Sequence, residues 1–244
     1  MTDIEMVKCK LNDEFEIIIP KHRADRPDWY TEQGWEKARL KSMSEHLGKG
    51  DNIYYIGAEE GEMPALCQMW GADVFLFEPN PAVWPNIKAI WQANKLKIPN
   101  IIVGFASNVD KMPDVLNYDK DIDKDGWPII ASEPVIGNHG FKELYLEAEN
   151  YPQVKVDTIV NNSKYPPTAL SIDVEGSEFE VLKGARQTIA QYKPKIWLSL
   201  HPEFLIQQWG VYGRDVRNWI IDLGYKETLL DYNHECHLLY EPIK

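Results

Sequence analysis

Acidic side chains follow an apolar stretch in the second half of the chain, in a pattern typical of a ligand-binding edge. Asp173 and Glu175 come directly after the apolar run 169–172, which predicts a buried strand. A helix is expected from Ser177, because Ser177 and Glu180 have the spacing of a capping box. Open α/β sheets bind their ligands at the carboxyl ends of parallel strands. Asp173 and Glu175 are therefore predicted to border a catalytic cleft.

His201 follows the next predicted strand, 195–200, and is expected at the same edge. Asp173 is predicted to accept a proton, to orient a substrate or to hold a divalent ion, with His201 as its partner in each role and Glu175 in the same cleft. The alternatives are a turn acid at Asp173 and a structural histidine at His201. A divalent metal on Asp173, Glu175 and His201 is conceivable, but no ligand spacing enforces it, and no metal is predicted.

A second segment, far upstream, supplies the other half of the predicted site. Gly57 and Gly61 follow the apolar run 53–56, and such glycines let a ligand approach the backbone closely. Glu78 comes 78 − 57 = 21 residues after Gly57, at the end of the next predicted strand, and Pro79 follows it. A carboxylate in that place can accept both ribose hydroxyls of a nucleoside.

The charges around the second glycine favour one class of nucleoside cofactor. Glu59, Glu60 and Glu62 surround the predicted helix start, where a pyrophosphate would meet three carboxylates. S-adenosylmethionine, which carries a sulfonium and an ammonium, tolerates them. The glycine spacing is not G-x-G-x-x-G, which disfavours NAD. The alternative interpretation is that the acids only stabilise a helix terminus.

Alternating strand and helix patterns predict an α/β protein with a mostly parallel sheet covered on both faces. Residues 1–50 are interpreted as an N-terminal extension with a β-hairpin over 4–19 and a helix over 29–47, and residues 51–244 as the main domain. Periodicity is lost over about 107–153, which is predicted to be a lid or substrate-binding insertion. The basic cluster 21–26 is predicted to be a solvated loop.

The insertion contains two features with competing interpretations. Residues 119–126 resemble a calcium loop but lack its terminal glutamate, since Glu133 lies too far along, so a solvated acidic loop is favoured. Aromatic side chains in the insertion suit either a sugar-like acceptor or simple lid packing. They are Trp127, His139, Phe141, Tyr145 and Tyr151.

The bulk composition narrows the class of protein. A net charge of −12 disfavours a nucleic-acid partner, and 44% hydrophobic residues are sufficient for a full core in one large domain. Three scattered cysteines favour a reducing compartment, and the acidic N-terminus is unlike the basic start of a signal peptide. A cytoplasmic protein is therefore expected. No apolar run reaches membrane-spanning length. The composition does not decide the oligomeric state.

Five segments together resemble the FkbM-type S-adenosylmethionine-dependent methyltransferases. They are Ile56-Gly57-Ala58-Glu59-Glu60-Gly61, Phe77-Glu78-Pro79-Asn80-Pro81, Val154 to Ile159, Ile172 to Ala185, and Lys193-Pro194-Lys195 with His201-Pro202. The resemblance implies a Rossmann-like class I methyltransferase fold, whose seven-stranded sheet has an antiparallel last strand. It also implies O-methylation of a hydroxyl on a sugar or related metabolite, so the expected partner is a small-molecule or glycan acceptor. The implied cofactor-binding residues are Tyr55, Gly57, Ala58, Glu59, Gly61, Glu78, Pro79 and Asp173.

Several positions depart from the family pattern. Tyr55 stands where the family usually has an aspartate that helps to hold the cofactor, and Glu59 is hypothesised to bind the cofactor's ammonium group instead. Ser171 and Ser199 stand where lysine and glutamate are common. The departure at Tyr55 favours the alternative function, a non-catalytic binding or scaffold protein that retains the fold.

Overall fold

The structure is a computed structural model that describes residues 4–26, 36–111, 122–128, 152–232 and 235–243. It opens with the predicted hairpin, β1 (Met6–Leu11) and β2 (Phe15–Pro20). Asn12 and Asp13 form the turn with φ angles of 53° and 59°. Short polar side chains adopt this left-handed conformation at low cost, which is why the chain reverses here.

The central sheet follows the predicted pattern and confirms the class I methyltransferase fold. Its strands are β3 (Asn52–Ile56), β4 (Asp73–Phe77), β5 (Asn100–Ile102), β8 (Ala169–Ile172), β9 (Lys195–Leu200), β10 (Tyr225–Tyr232) and β11 (Cys236–Pro242). Their order in space is β10-β11-β9-β8-β3-β4-β5. The last strand, β11, runs antiparallel to both of its neighbours, while β3, β4, β5, β8 and β9 pair in parallel.

Strand alternation divides the core into two layers, one on each face of the sheet. Ile53 and Tyr55 of β3 belong to one layer, and Tyr54 and Ile56 belong to the other. All five residues of β3 are buried, as expected for a central parallel strand covered on both faces. Ile53 and Tyr55 lie on the face of β3 that packs against the N-terminal extension, because residues of the extension belong to the same layer.

Helices cover both faces. The first layer is covered by the β1–β2 hairpin and by three helices, α2 (Lys37–His46), α3 (Glu62–Met69) and α4 (Trp84–Ala93). A 3-10 turn over Pro81–Val83 precedes α4. The second layer is covered by α5 (Val156–Ser163), α6 (Glu178–Gly184), α7 (Arg186–Tyr192), α8 (Pro202–Trp209) and α9 (Gly213–Asp222). A short helix, α1 (Lys21–Ala24), joins the hairpin to the rest of the extension.

The extension shares its core with the sheet. Leu11 and Ile19 of the hairpin and Leu40 of α2 lie in the same hydrophobic cluster as Ile53 and Leu76 of the central strands. Each of these side chains is almost completely removed from water, so the extension contributes to the burial of the sheet. It is not a loosely attached arm.

Two details of the helix predictions were incomplete or wrong. The helix after the acidic turn begins at Glu178 as expected, but Ser177 makes no side-chain capping hydrogen bond. Glu178 Oε1 accepts the backbone N–H of Gly176 at 2.9 Å, which fixes the turn that precedes the helix. Helix α8, which begins at Pro202, was not predicted; proline is well suited to a first helical position.

The described part of the insertion packs on the domain. Two short strands, β6 (Phe105–Ala106) and β7 (Gln153–Val154), pair in parallel. Trp127 is buried edge-on against Trp91, at 6.2 Å between ring centroids, so it serves packing. His139, Phe141, Tyr145 and Tyr151 lie outside the described residues. No helix in the described ranges combines the length and the apolar character that membrane crossing needs.

Candidate functional site

A glycine bend lies at the centre of the carboxyl edge of the sheet. Gly57 directly follows β3, has a φ of 85°, and donates its N–H to Phe77 O at 3.1 Å. A Cβ at this position would lie only 1.7 Å from Asp173 O, so no other residue fits without a backbone shift. The close approach brings the ends of β3 and β8 together.

Glu78 lies beside this bend, at the end of β4. Its carboxylate accepts backbone N–H groups on both oxygens: Glu59 N to Oε2 at 3.0 Å and Asn80 N to Oε1 at 2.7 Å. Burial raises the pKa of Glu78 to about 8, although these N–H groups oppose the rise. Pro79 is half-buried and Ala58 is buried next to it. The carboxylate is held rigidly and has further lone pairs for hydroxyl donors.

Asp173 lies on the other side of the bend, at the end of β8. Its backbone N–H donates to Ile56 O at 3.0 Å, and its Oδ2 accepts from Arg39 Nη1 at 2.8 Å. Burial opposes ionisation, but Arg39 and His201 outweigh it and lower the pKa of Asp173. Glu78 and Asp173 therefore flank Gly57 on the two strands that neighbour β3, on one edge of the sheet.

Arg39 is the buried cation beneath this edge. Only 1% of its side chain is exposed. Besides Asp173, its Nη1 donates to Glu36 Oε2 at 2.7 Å and to Ser199 Oγ at 2.9 Å, and its Nη2 donates to Ser171 Oγ at 2.7 Å. The small serine side chains leave the space that the guanidinium fills. A helix of the extension thus supplies the counter-ion of a strand-end carboxylate.

His201 lies at the end of β9, within a group of carboxylates. Its Nδ1 is 2.7 Å from Glu178 Oε1, and its Nε2 is 3.0 Å from Glu235 Oε2. Glu175 Oε2 and Asp173 Oδ1 lie 3.6 Å and 3.9 Å from the same Nε2. Burial alone would lower the pKa of His201, but the hydrogen bonds to Glu178 and Glu235 outweigh it and raise the pKa to about 12.

Glu175 is the most accessible carboxylate of this group, with 41% of its side chain exposed. It has a φ of 51°, and Gly176 follows with a φ of 103°, so the chain turns sharply here. A Cβ on Gly176 would lie 2.5 Å from Phe204 Cβ, which requires glycine in the turn. Burial raises the pKa of Glu175 to about 7, against the opposing effect of His201. Near neutral pH this carboxyl can take up or release a proton.

The basic cluster of the extension is not a solvated loop, and that prediction was wrong. Arg23 is 1% exposed and forms a bidentate pair with Glu59, from Nη1 to Oε1 and from Nη2 to Oε2, both at 3.0 Å. Its Nε donates to Glu62 Oε1 at 2.8 Å, and His22 Nε2 is 2.7 Å from Glu60 Oε2. Because Glu59, Glu60 and Glu62 pair with side chains of the extension, their charges are partly neutralised. Their repulsion of a pyrophosphate is therefore weaker than the sequence suggested.

Tyr55 is not brought to the carboxyl edge with the other predicted residues. Its ring is buried in the first core layer, 5.8 Å from the Arg39 guanidinium. Its hydroxyl group lies 3.5 Å from Met63 Sδ. Gly61, in contrast, ends the loop with a φ of 95°, and a Cβ there would lie 3.0 Å from Ile87 Cγ1.

Four polar residues of the site were not predicted: Glu36, Arg39, Glu235 and His237. Glu36 and Arg39 lie in the segment 29–47 that was predicted to be a helix, and Glu235 and His237 lie at or beside β11. Nothing in the local pattern singles any of them out. The signal that was present is indirect. Tyr55, Ser171 and Ser199, noted as departures from the family pattern, all surround the Arg39 guanidinium.

Comparisons with known proteins agree with the fold. The model of the methyltransferase FkbM domain matches residues 55–227. Over 150 residues the chain is 22% identical to the hexuronic acid methyltransferase AglP of Haloferax volcanii, covering 61% of this chain and 56% of AglP. The chain therefore spans little more than half of that relative.

Solved structures show the same fold at low sequence identity. A methyltransferase FkbM from Methylobacillus flagellatus KT has a TM-score of 0.52 at 18% identity, over 80% of this chain and 44% of that one. An rRNA methylase from Streptococcus thermophilus has a TM-score of 0.50 at 8% identity, over 84% of this chain and 95% of that one. Because the family model matches most of the sequence, the chain belongs to the methyltransferase FkbM domain family.

Proposed function

We propose that the protein is an S-adenosylmethionine-dependent O-methyltransferase that acts on a hydroxyl of a sugar or related metabolite. The observation that carries the proposal is the placement of Glu78 and Asp173 on either side of the Gly57 bend, at one edge of the sheet. Glu78 would accept the ribose hydroxyls of a nucleoside bound at the bend, and the bound cofactor would supply the methyl group.

The transfer needs an acceptor oxygen in line with the sulfonium methyl group and a group that receives its proton. The carbon–sulfur bond breaks as the oxygen–carbon bond forms, and the hydroxyl proton passes to a carboxylate. Glu175 is suited to receive it, because it is accessible and burial raises its pKa to about 7. Asp173, whose Oδ2 accepts from Arg39, is suited to orienting the acceptor hydroxyl.

His201 has a different role in this scheme. It is buried, and both of its ring nitrogens face carboxylate oxygens, so its contribution is to position Glu175 and Asp173. We therefore assign it as a positioning residue of the same site. The proposal retains five of the cofactor-binding residues expected from the sequence, namely Gly57, Ala58, Gly61, Glu78 and Pro79. Tyr55 is instead a core residue that packs beside the Arg39 guanidinium. Glu59 contributes through its backbone N–H to Glu78.

Support for a sugar acceptor comes from the relative AglP, which is named for methylation of a hexuronic acid. An acceptor with neighbouring hydroxyls suits a site lined by several carboxylates, because each hydroxyl can donate a hydrogen bond. We also expect no nucleic-acid acceptor, since the net charge of −12 opposes a polyanion.

Ligand binding and turnover test the proposal separately. S-adenosylmethionine and its demethylated product, S-adenosylhomocysteine, should each raise the unfolding midpoint, because a ligand that binds only the folded state stabilises it. No shift at millimolar ligand would favour the non-catalytic scaffold. Transfer of a labelled methyl group should then be measured with glycoside and hexuronate acceptors. If the protein binds the cofactor but transfers no methyl group to any of these acceptors, cofactor binding is supported and the proposed O-methylation is refuted.

A further inference from the structure

The carboxylate of Glu235 lies between two imidazole rings at the inner wall of the site. Its Oε2 is 3.0 Å from His201 Nε2, and its Oε1 is 3.7 Å from His237 Nε2. Among the described residues there are two groups of three side chains whose possible metal-ligand atoms all lie within 4.8 Å of one another. Both groups contain Glu235. They are Asp173 with His201 and Glu235, and Glu36 with Glu235 and His237.

The group around His201 has the spacing of a coordination shell. Asp173 Oδ1 and Glu175 Oε2 lie 3.9 Å and 3.6 Å from His201 Nε2, on the cleft side. Donors bound to one ion at about 2.1 Å are separated by about 3.0 Å in an octahedron and about 3.4 Å in a tetrahedron. The distances of 3.0–3.9 Å from His201 Nε2 to the oxygens of Glu235, Glu175 and Asp173 are close to these values.

His201 is already oriented as a ligand. Its Nδ1 faces Glu178 Oε1 at 2.7 Å, and Glu178 is fully buried. A metal-binding histidine typically donates its other ring N–H to a carboxylate, which fixes the tautomer and directs the free lone pair at the ion. The Glu178 contact leaves Nε2 for the group that contains Asp173 and Glu235.

The local charge favours the binding of a cation. Five carboxylates meet here, those of Glu36, Asp173, Glu175, Glu178 and Glu235. Among the described residues, Arg39 contributes one positive charge and a protonated His201 contributes a second, so the carboxyl groups outnumber the cations beside them. Carboxylates in excess of their counter-ions are costly in a buried site, and a divalent ion in place of the His201 proton would reduce the excess.

A second observation is independent of the acidic residues. His237 is completely buried, and its Nε2 makes no hydrogen bond within the described residues. The ring is directed at Glu235 by its Nδ1, which lies 3.0 Å from Ser199 Oγ. A buried imidazole nitrogen without a hydrogen bond, aimed at a carboxylate, is explained when a cation is held by that carboxylate.

We propose that Asp173, His201 and Glu235 bind a divalent transition-metal ion at the carboxyl edge of the sheet. One imidazole and two carboxylates suit Mn²⁺, Fe²⁺, Co²⁺ or Zn²⁺ better than Ca²⁺, which takes oxygen ligands. Glu175 lies at the solvent side of the ion and His237 behind it. Glu235 lies beyond residues 55–227, so the site is not contained in the matched domain.

The ion would give the site a further function, and this role rests on the proposed methyl transfer. An acceptor hydroxyl bound to the ion loses its proton more readily, because the metal stabilises the alkoxide. The proton passes to Glu175, the oxygen forms its bond to the methyl carbon, and the carbon–sulfur bond breaks. Neighbouring hydroxyls of a sugar suit such a centre, since both can approach the same ion.

The test measures metal binding without cofactor or acceptor. Untagged protein is stripped with chelator, dialysed and titrated with MnCl₂ while electron paramagnetic resonance follows the free ion. We expect one bound ion per chain. Pulsed resonance of the bound ion should show coupling to an imidazole nitrogen, a readout that needs no variant. Absence of binding at millimolar Mn²⁺ and of a Co²⁺ absorption band would overturn the site, and a protonated His201 would then be the local cation.

Variants locate the ion. Glu235→Gln and Asp173→Asn should abolish binding in folded protein, and Glu178→Gln should weaken it about 10- to 100-fold by releasing His201. Glu203→Gln is the matched control, because Glu203 is an exposed acid two residues from His201 and should leave binding unchanged. Binding that survives the Asp173 change but is lost in His237→Gln would refute the assignment in favour of the inner group.

The outcomes for the ion and for the reaction are distinguishable. Stoichiometric metal binding in a protein that transfers no methyl group would keep the site and refute the proposed function. Full transferase activity in protein shown to be free of metal would keep the function and refute the role of the ion in it.

Discussion

At the scale of single residues, Glu78 is the side chain on which cofactor binding is expected to depend most. Its oxygens already accept two backbone N–H groups, and Glu78→Gln would place an amide NH₂ against one of them. Loss of a buried hydrogen-bond acceptor for the ribose hydroxyl groups costs about 1–3 kcal/mol, so affinity for S-adenosylhomocysteine should fall about 10- to 100-fold. Calorimetry measures it, with exposed Glu45→Gln as the control. Equal affinities in Glu78→Gln and parent would contradict the assignment.

Arg39 is expected to matter for stability as well as for the site. Arg39→Met removes the hydrogen bonds to Glu36, Asp173, Ser171 and Ser199 and leaves buried carboxylates without their cation. Breaking a buried pair in this way costs about 3–5 kcal/mol. Urea denaturation provides the measurement. Arg217→Met, which removes an ion pair with Glu227 on a far more exposed arginine, should cost only about 0–1 kcal/mol. Similar losses in the two variants would show that the Arg39 network is unimportant.

The sequence predicted the acids that end strands but not their partners. Asp173, Glu175, Glu78 and His201 were identifiable because each follows an apolar run, and a parallel sheet brings such ends to one edge. Arg39 is separated from Asp173 by 134 residues, and no periodic pattern relates the two. Partners of this kind are set by how a helix packs across the sheet, which is tertiary information.

At the scale of elements, the bend after β3 determines whether the two halves of the site can meet. Gly57→Ala would place a methyl group 1.7 Å from Asp173 O at a φ of 85°. The backbone must move, so we expect a loss of about 3 kcal/mol or more in the free energy of unfolding and no detectable cofactor binding. Gly48→Ala is the matched control, because nothing lies within 4 Å of its added Cβ. A stable Gly57→Ala protein that binds cofactor normally would refute the close packing described here.

Element types were more predictable than element contacts. The parallel strands and the hairpin at the start appear where apolar runs and turn residues indicated them. Helix α8 was missed, since His201-Pro202 also fits a simple turn, and only the helical continuation distinguishes the two. The cluster 21–26 was misassigned because an isolated basic run usually stays solvated. Here Glu59 and Glu60 of the loop after β3, and Glu62 at the start of α3, pair with His22 and Arg23.

At the scale of the whole molecule, stability should decrease as the pH rises from about 5 to about 8. Burial raises the pKa of Glu60 to about 7, despite Arg23, and the pKa of Glu78 to about 8. In that window the folded protein keeps protons that the unfolded chain has released, so each unit of pH costs folding free energy. Urea unfolding across this pH range tests the sign. Glu60→Gln should flatten the dependence, Glu45→Gln should not, and stability that rises with pH would contradict the raised pKa values.

The position of Arg39 carries a consequence for how this domain can be divided. The stretch recognised by the family model runs from residue 55 to residue 227, yet Arg39 precedes it and Glu235 follows it. A protein trimmed to that stretch would retain Glu78, Asp173 and Glu175 while losing the guanidinium that pairs with Asp173. Chimeras that exchange the central sheet between relatives should therefore carry both flanks along, because charge balance is shared across those boundaries.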